Sequence, residues 1–150
     1  MDITANLSVI HQQIANSARK VNRDPAEIAL IAVTKFASVV AINQAIQAGI
    51  TDIGENRIQN AKEKFPDLAS GVTKHLIGSL QTNKAKAALE LFDLIHSVDR
   101  PELVAELAEQ ALKLQKSVRF LIQLNISGEA SKHGLNPKDL PGLLQQIQAE

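Results

Sequence analysis

The sequence predicts a parallel α/β protein of the (β/α)8, or TIM-barrel, type, with about the first five βα units in this chain. Three observations carry that expectation. An opening helix is followed by five short apolar segments in strict alternation with helical patterns, and short connections of this kind make the strands parallel. The strands near Ile53 and His75 are very short, which favours a barrel over an open doubly wound sheet. The turn after the first strand, Thr34-Lys35-Phe36-Ala37-Ser38, has none of the glycines of a dinucleotide or Walker phosphate loop. Five strands complete an open sheet, whereas a barrel needs eight. This reading therefore takes residues 1–150 as a single domain, the N-terminal part of a barrel, with about a third of a typical barrel beyond Glu150.

The elements follow from local pattern. Residues 2–22 form an amphipathic helix, with Leu7, Ile10, Ile14, Ala18 and Val21 recurring at steps of three and four. Asn22-Arg23-Asp24-Pro25 breaks it. The run from Ile28 to Phe36 is rich in β-branched residues and reads as a strand buried on both faces, with Lys35 where it runs out. Ser38 caps the next helix, whose inward face is Ile42, Ala45 and Ile46, and Gly49 supplies a left-handed stop. Ile50 to Gly54 is a short strand. Glu55-Asn56-Arg57 opens a helix with Ile58, Ala61 and Phe65 inward, and Pro66 ends it.

His75 to Gly78 is the third strand, followed by a helix from Thr82 or Asn83 to about Leu91. Leu94 to Ser97 is the fourth. Asp99 as N-cap, Pro101 in the first turn and Glu102 then start a helix buried through Leu103, Leu107, Ala111 and Leu114. Val118 to Asn125 is the fifth strand. After the loop Ser127–Gly134, a last helix starts near Pro137 with Leu140, Leu143, Leu144 and Ile147 inward.

Composition narrows the function classes. Sixteen basic residues balance sixteen acidic ones, which leaves no electrostatic footprint for nucleic acid or an anionic membrane. There is no cysteine, so disulfides, thiol catalysis and thiolate metal sites are excluded. The start of the chain lacks a signal-peptide pattern and no apolar run reaches membrane-spanning length, so the cytoplasm is the default. The four histidines have no local ligand spacing and do not make a metal site.

In an α/β protein, ligands bind at the carboxyl ends of the strands. Five groups fall there: Lys35, Asn56, the Gly78-Ser79 turn, Ser97 and Asn125. Each has a plain structural alternative. Lys35 can snorkel into water, Asn56 can cap a helix, Gly78 can serve a tight turn, and Ser97 and Asn125 can satisfy backbone where strands end. Jointly they surround one amine. A neutral lysine amine attacks aldehydes, which a semi-buried site favours, so Schiff-base chemistry with a carbonyl substrate or pyridoxal phosphate is its natural use. His75 is kept as a site candidate, although its place at the amino end of its strand argues against direct catalysis.

Five ordered motifs then point to a family. Val33-Thr34-Lys35 is followed by Gly54-Glu55-Asn56-Arg57-Ile58-Gln59 and by His75-Leu76-Ile77-Gly78-Ser79-Leu80-Gln81-Thr82-Asn83-Lys84. Ser97-Val98-Asp99 comes next, then Gln123 to Glu129 with Lys132 and Gly134. Together, over nearly the whole chain, they resemble the pyridoxal phosphate homeostasis proteins, which have a barrel like the N-terminal domain of alanine racemase. The resemblance implies that Lys35 holds pyridoxal 5′-phosphate as an aldimine and that Asn56 lies beside the cofactor, with His75 a further binding candidate.

It also implies a protein that buffers the cofactor, or delivers it to apo enzymes that use it, without established catalysis. One departure is Lys74, where the family commonly has an aromatic residue. The other is that the family's phosphate-binding elements lie in the last strands, beyond Glu150. Weak cofactor binding and self-association through open sheet edges are therefore expected of this chain. The alternatives are a Schiff-base enzyme, such as a pyridoxal-phosphate racemase or an aldolase, and a folding fragment that binds nothing tightly. A racemase of related fold needs a second base opposite the lysine, typically tyrosine, and this chain has none.

Overall fold

The computed structural model describes residues 2–150. Helix α1 (Ile3–Arg19) is capped by the Asp2 carboxylate, which accepts from the Ala5 amide at 3.0 Å. Five strands follow: β1 (Ile31–Val33), β2 (Asp52–Glu55), β3 (Thr73–Leu76), β4 (Leu94–Val98) and β5 (Phe120–Ile122). They form one parallel sheet in sequence order. Between them run α2 (Val39–Gln47), α3 (Ile58–Lys64), α4 (Ala85–Leu91) and α5 (Pro101–Leu114), and α6 (Leu140–Ala149) comes last. This is the α/β architecture read from the alternation, with five units of the barrel type. None of the described helices is long and apolar enough to cross a membrane.

Sequential strand order with right-handed crossovers places the connecting helices on one face of the sheet. The core lies there. Ile53, Leu76 and Ile95 from the strands meet Ile42, Ala61, Ala88, Leu103 and Leu107 from the helices. Phe65 and Phe92 pack edge to face with centroids 5.3 Å apart, and the Lys74 ammonium sits 5.4 Å from the Phe65 centroid. Alternation along the strands sends Asp52, Gly54, His75 and His96 to the opposite face.

Several expectations need correction. β1 is not buried on both faces: it pairs with β2 alone among the described strands, and Val33 is 55% exposed. Ile10 and Leu144 are also exposed, because α1 packs through Leu7 and Ala18 and α6 through Leu143, and Val21 is exposed because α1 ends at Arg19, short of residue 22. Asp99 does not cap α5. Arg100 occupies that position, and the Asp99 carboxylate instead accepts from the Arg100 guanidinium at 2.6 Å. Glu55 belongs to β2 and is fully buried, rather than opening α3. His75 is the third residue of β3, level with Gly54 of β2 and Leu94 of β4, so it does not stand at the amino end. The second strand and the third are displaced from their expected limits because pairing across the sheet, not apolar content, decides where ladders begin.

Candidate functional site

Val33 pairs with Gly54, so Lys35 and Asn56, each two residues further on, leave the sheet at one level. The ladder continues past the strands themselves: the Thr34 amide donates to the Gly54 carbonyl at 2.9 Å, and the Ile77 amide to the Glu55 carbonyl at 3.0 Å. The carboxyl ends of β1, β2 and β3 are thereby held edge to edge. Lys35 itself is exposed, not semi-buried as expected, and its Nζ lies 5.0 Å from the centroid of the Phe36 ring, itself 91% exposed. An edge position with no helix over that face leaves the amine in solvent.

Asn56 is more constrained. The helix-cap alternative fails, since the N-cap of α3 is Arg57 and no side chain caps it. The Asn56 side-chain oxygen is buried and has no hydrogen-bond partner. Such an orphan costs roughly 1–3 kcal/mol. Gly78 crosses directly against the same residue. A Cβ built on Gly78 would come 2.2 Å from the Asn56 carbonyl oxygen, so only glycine fits. The Gly78 carbonyl is in turn taken by the buried Ser97 hydroxyl, which donates at 2.7 Å. Three of the expected groups, Asn56, Gly78 and Ser97, therefore form one packed line across β2, β3 and β4.

Two residues that local pattern does not reveal hold this line to Lys35. The fully buried Glu55 carboxylate accepts from the Asn56 amide at 2.9 Å through Oε1 and from Lys64 Nζ at 3.1 Å through Oε2. Lys64 also donates to the Thr34 carbonyl at 2.8 Å and to the Lys35 carbonyl at 3.4 Å. The Thr34 hydroxyl, buried as well, donates to the Gly54 carbonyl at 3.2 Å.

His75 lies deeper, on the helix-free face, and both of its ring nitrogens are engaged. Nε2 is 2.9 Å from Asp52 Oδ1, and Nδ1 is 2.9 Å from His96 Nε2. Since the carboxylate only accepts, His75 Nε2–H donates to it and, between neutral rings, His96 Nε2–H donates to His75 Nδ1. Burial disfavours charge on His96, and the neighbouring His75 adds to this, so its pKa is lowered. For Asp52 burial acts against ionisation, but hydrogen bonds from Thr51, His75 and Thr73 outweigh it and hold the carboxyl below its ordinary value. Asn125 is separate from all of this. Its side chain staples its own loop, donating to the Glu129 carbonyl at 3.0 Å and accepting from the Gly128 amide at 3.1 Å, which is the plain reading of a strand-end asparagine.

A five-stranded parallel sheet, with a lysine and an asparagine whose buried side-chain oxygen is unpaired at its carboxyl end, defines the class: an α/β protein of barrel type. The comparisons make the family specific. Residues 5–150 match the family model described as "Alanine racemase, N-terminal domain", and the chain belongs to that family. It is 38% identical over 146 residues to the pyridoxal phosphate homeostasis protein of Pseudomonas aeruginosa, covering 97% of this chain and 64% of that one. Against the protein of the same name from Pasteurella multocida it is 39% identical over 151 residues, covering 99% and 65%.

Among solved structures, PipY of Synechococcus elongatus PCC7942 without PLP superposes with a TM-score of 0.79 at 37% identity, over 91% of this chain and 64% of PipY. PipY with PLP bound gives 0.74 at 37% identity, over 89% and 63%. The chain thus spans just under two thirds of the length of these relatives.

Proposed function

We propose that this chain binds pyridoxal 5′-phosphate at Lys35 and serves cytoplasmic vitamin B6 homeostasis without catalytic turnover. The observation that carries the reading is the buried, unpartnered Asn56 side-chain oxygen, on a residue whose backbone lies against a Gly78 that admits no side chain, at the level of Lys35. Those residues fit the group. The cofactor supplies an aldehyde, which condenses reversibly with a primary amine. Lys35 would offer that amine and Asn56 an acceptor for a cofactor hydroxyl or protonated ring nitrogen, while Gly78 lets the Asn56 backbone lie against the end of β3. His75 supports the floor of the site, since both of its nitrogens are already engaged.

The names of the relatives and the PLP-bound PipY structure support the cofactor. The relatives' naming as homeostasis proteins, rather than as enzymes, supports the non-catalytic role. In this reading residues 1–150 are the N-terminal part of one barrel domain, and apo enzymes that need the cofactor are its recipients.

The test is trapping. The chain is mixed with pyridoxal 5′-phosphate, reduced with borohydride and digested. A stable mass addition on the Lys35 peptide, with a visible absorption band lost in Lys35→Ala, is expected. Equal labelling of Lys35→Ala overturns the assignment. Turnover of free amino acids by the loaded protein overturns the non-catalytic role.

A further inference from the structure

We propose that the buried Glu55–Lys64 pair is the positioning and selectivity device of the site. It fixes the Lys35 turn against Asn56, and it makes Lys35, not the neighbouring Lys64, the amine that meets an aldehyde. The inference deepens the pyridoxal phosphate reading and rests on it only for the identity of the aldehyde.

An ammonium has three N–H groups and no lone pair. Lys64 faces three acceptors: the Thr34 carbonyl at 2.8 Å, Glu55 Oε2 at 3.1 Å and the Lys35 carbonyl at 3.4 Å. Its side chain is 17% exposed and that of Glu55 is 0% exposed. Moving the Lys64 nitrogen out toward an aldehyde would strip the fully buried Glu55 carboxylate of this partner, which is costly in the core. Lys64 is therefore tethered and covered, with no open approach for a carbonyl carbon. Lys35 is exposed, and the pair engages only its backbone, not its amine.

The same pair transmits order. Lys64 comes from the last residue of α3 and grips the carbonyls on both sides of the Thr34–Lys35 peptide, while Glu55 takes the Asn56 amide through its other oxygen. One carboxylate thus sets the distance between the two groups that define the site. Removing it disturbs Lys35 and Asn56 together. Neither Glu55 nor Lys64 contacts the ligand in this account; both act through the backbone they hold.

Reductive methylation with formaldehyde and cyanoborohydride reads amine availability without reference to pyridoxal phosphate. The amine nitrogen bonds to the aldehyde carbon, the carbonyl oxygen leaves as water, and hydride from the borohydride reduces the resulting C=N to a secondary amine. Peptide mass spectrometry then gives a rate for each lysine. In the unmodified chain, Lys64 is expected to react at least ten-fold more slowly than Lys35 and than exposed Lys62. Lys64 reacting as fast as Lys62 overturns the proposal, whatever any variant does.

Glu55→Gln is expected to raise the Lys64 rate at least five-fold and to spread borohydride-trapped pyridoxal phosphate onto Lys64. Lys64→Met is expected to cut trapping at Lys35 several-fold, with partial rescue in Lys64→Arg. A folded Glu55→Gln variant with the original labelling pattern overturns the selectivity role. Failure of pyridoxal phosphate to label the unmodified chain, with the methylation pattern intact, instead overturns the cofactor reading and leaves the pair's role standing.

Discussion

Gly78→Ala is expected to strain the line from Asn56 to Ser97 and to lower both stability and cofactor retention. A Cβ on Gly78 would lie 2.2 Å from the Asn56 carbonyl oxygen and 2.9 Å from both its carbonyl carbon and its Cα. All three are backbone atoms, so no rotamer change relieves the clash. To reach ordinary contact, the strand ends must separate by about 1 Å, yet the Gly78 carbonyl is held by Ser97 at 2.7 Å and the Asn56 amide by Glu55 at 2.9 Å. Overpacking costs about 1–3 kcal/mol where side chains can adjust, and a rigid backbone neighbour puts this site at the upper end, about 3 kcal/mol. For a chain of this length each kcal/mol shifts Tm by about 2–4 °C, so a fall of about 6–12 °C is expected.

Thermal unfolding followed by circular dichroism measures it. Gly142→Ala serves as the control. Gly142 lies inside α6 with nothing within 4 Å of its added Cβ, so alanine there is expected to stabilise by up to about 1 kcal/mol. If Gly78→Ala melts within about 2 °C of the parent, the close approach is not a constraint and the packed line is not the frame of the site.

Asn56→Leu removes the buried orphan acceptor, so it is expected to melt no lower than the parent while losing trapped cofactor; a large stability loss with full retention would contradict the role given to Asn56. Acidification is expected to destabilise the fold. His96 and Asp52 both have lowered pKa values, so the unfolded chain binds their protons more readily. Their contributions are complete above the ordinary values and are lost as pH falls, first below about 6.5 for His96 and then below about 3.8 for Asp52. Melting at pH 7.5 and 5 should show a drop that is smaller in His96→Gln. Asn125→Ala is expected to cost about 1–2 kcal/mol locally and to speed proteolysis within 127–134, leaving cofactor trapping unchanged.

Local chemistry made much of this fold legible. Ser38 caps α2 as its position implies, its hydroxyl accepting from the Ala41 amide at 3.2 Å, and Gly49 takes φ +103° at the stop. Ile42, Ala61, Leu103 and Leu107 are buried where a period of 3.6 places them. What the chain order concealed is pairing at long range. Glu55 looks like a helix-opening acid beside Asn56, and only its register in β2, beneath α3, makes it a buried partner for Lys64. Lys64 reaches back thirty residues to Thr34, a separation that leaves no periodic trace. His75 and His96 have no ligand spacing in sequence, yet adjacent strands bring their rings together on the face that also carries Asp52. The apolar run of β1 reads as buried on both faces because apolar content does not reveal which strand lies at an edge.

The carboxyl end of this sheet breaks ordinary rules at several neighbouring positions. A carboxylate is buried completely, an amide oxygen goes unpaired, two backbones touch where only glycine fits, and an ammonium is drawn in from a helix end. Elsewhere the helix-facing side follows the expected economy of apolar contact. Violations that cluster, and that interlock through Glu55, are the pattern of a site held in place against its own folding preferences. Stability alone does not account for them, because replacing the pair and the orphan by well-packed apolar groups is commonly neutral or favourable. The arrangement makes sense if its product is one exposed amine near one unpaired acceptor. Lys35 can remain exposed and free because the order of the site resides in the peptide that carries it.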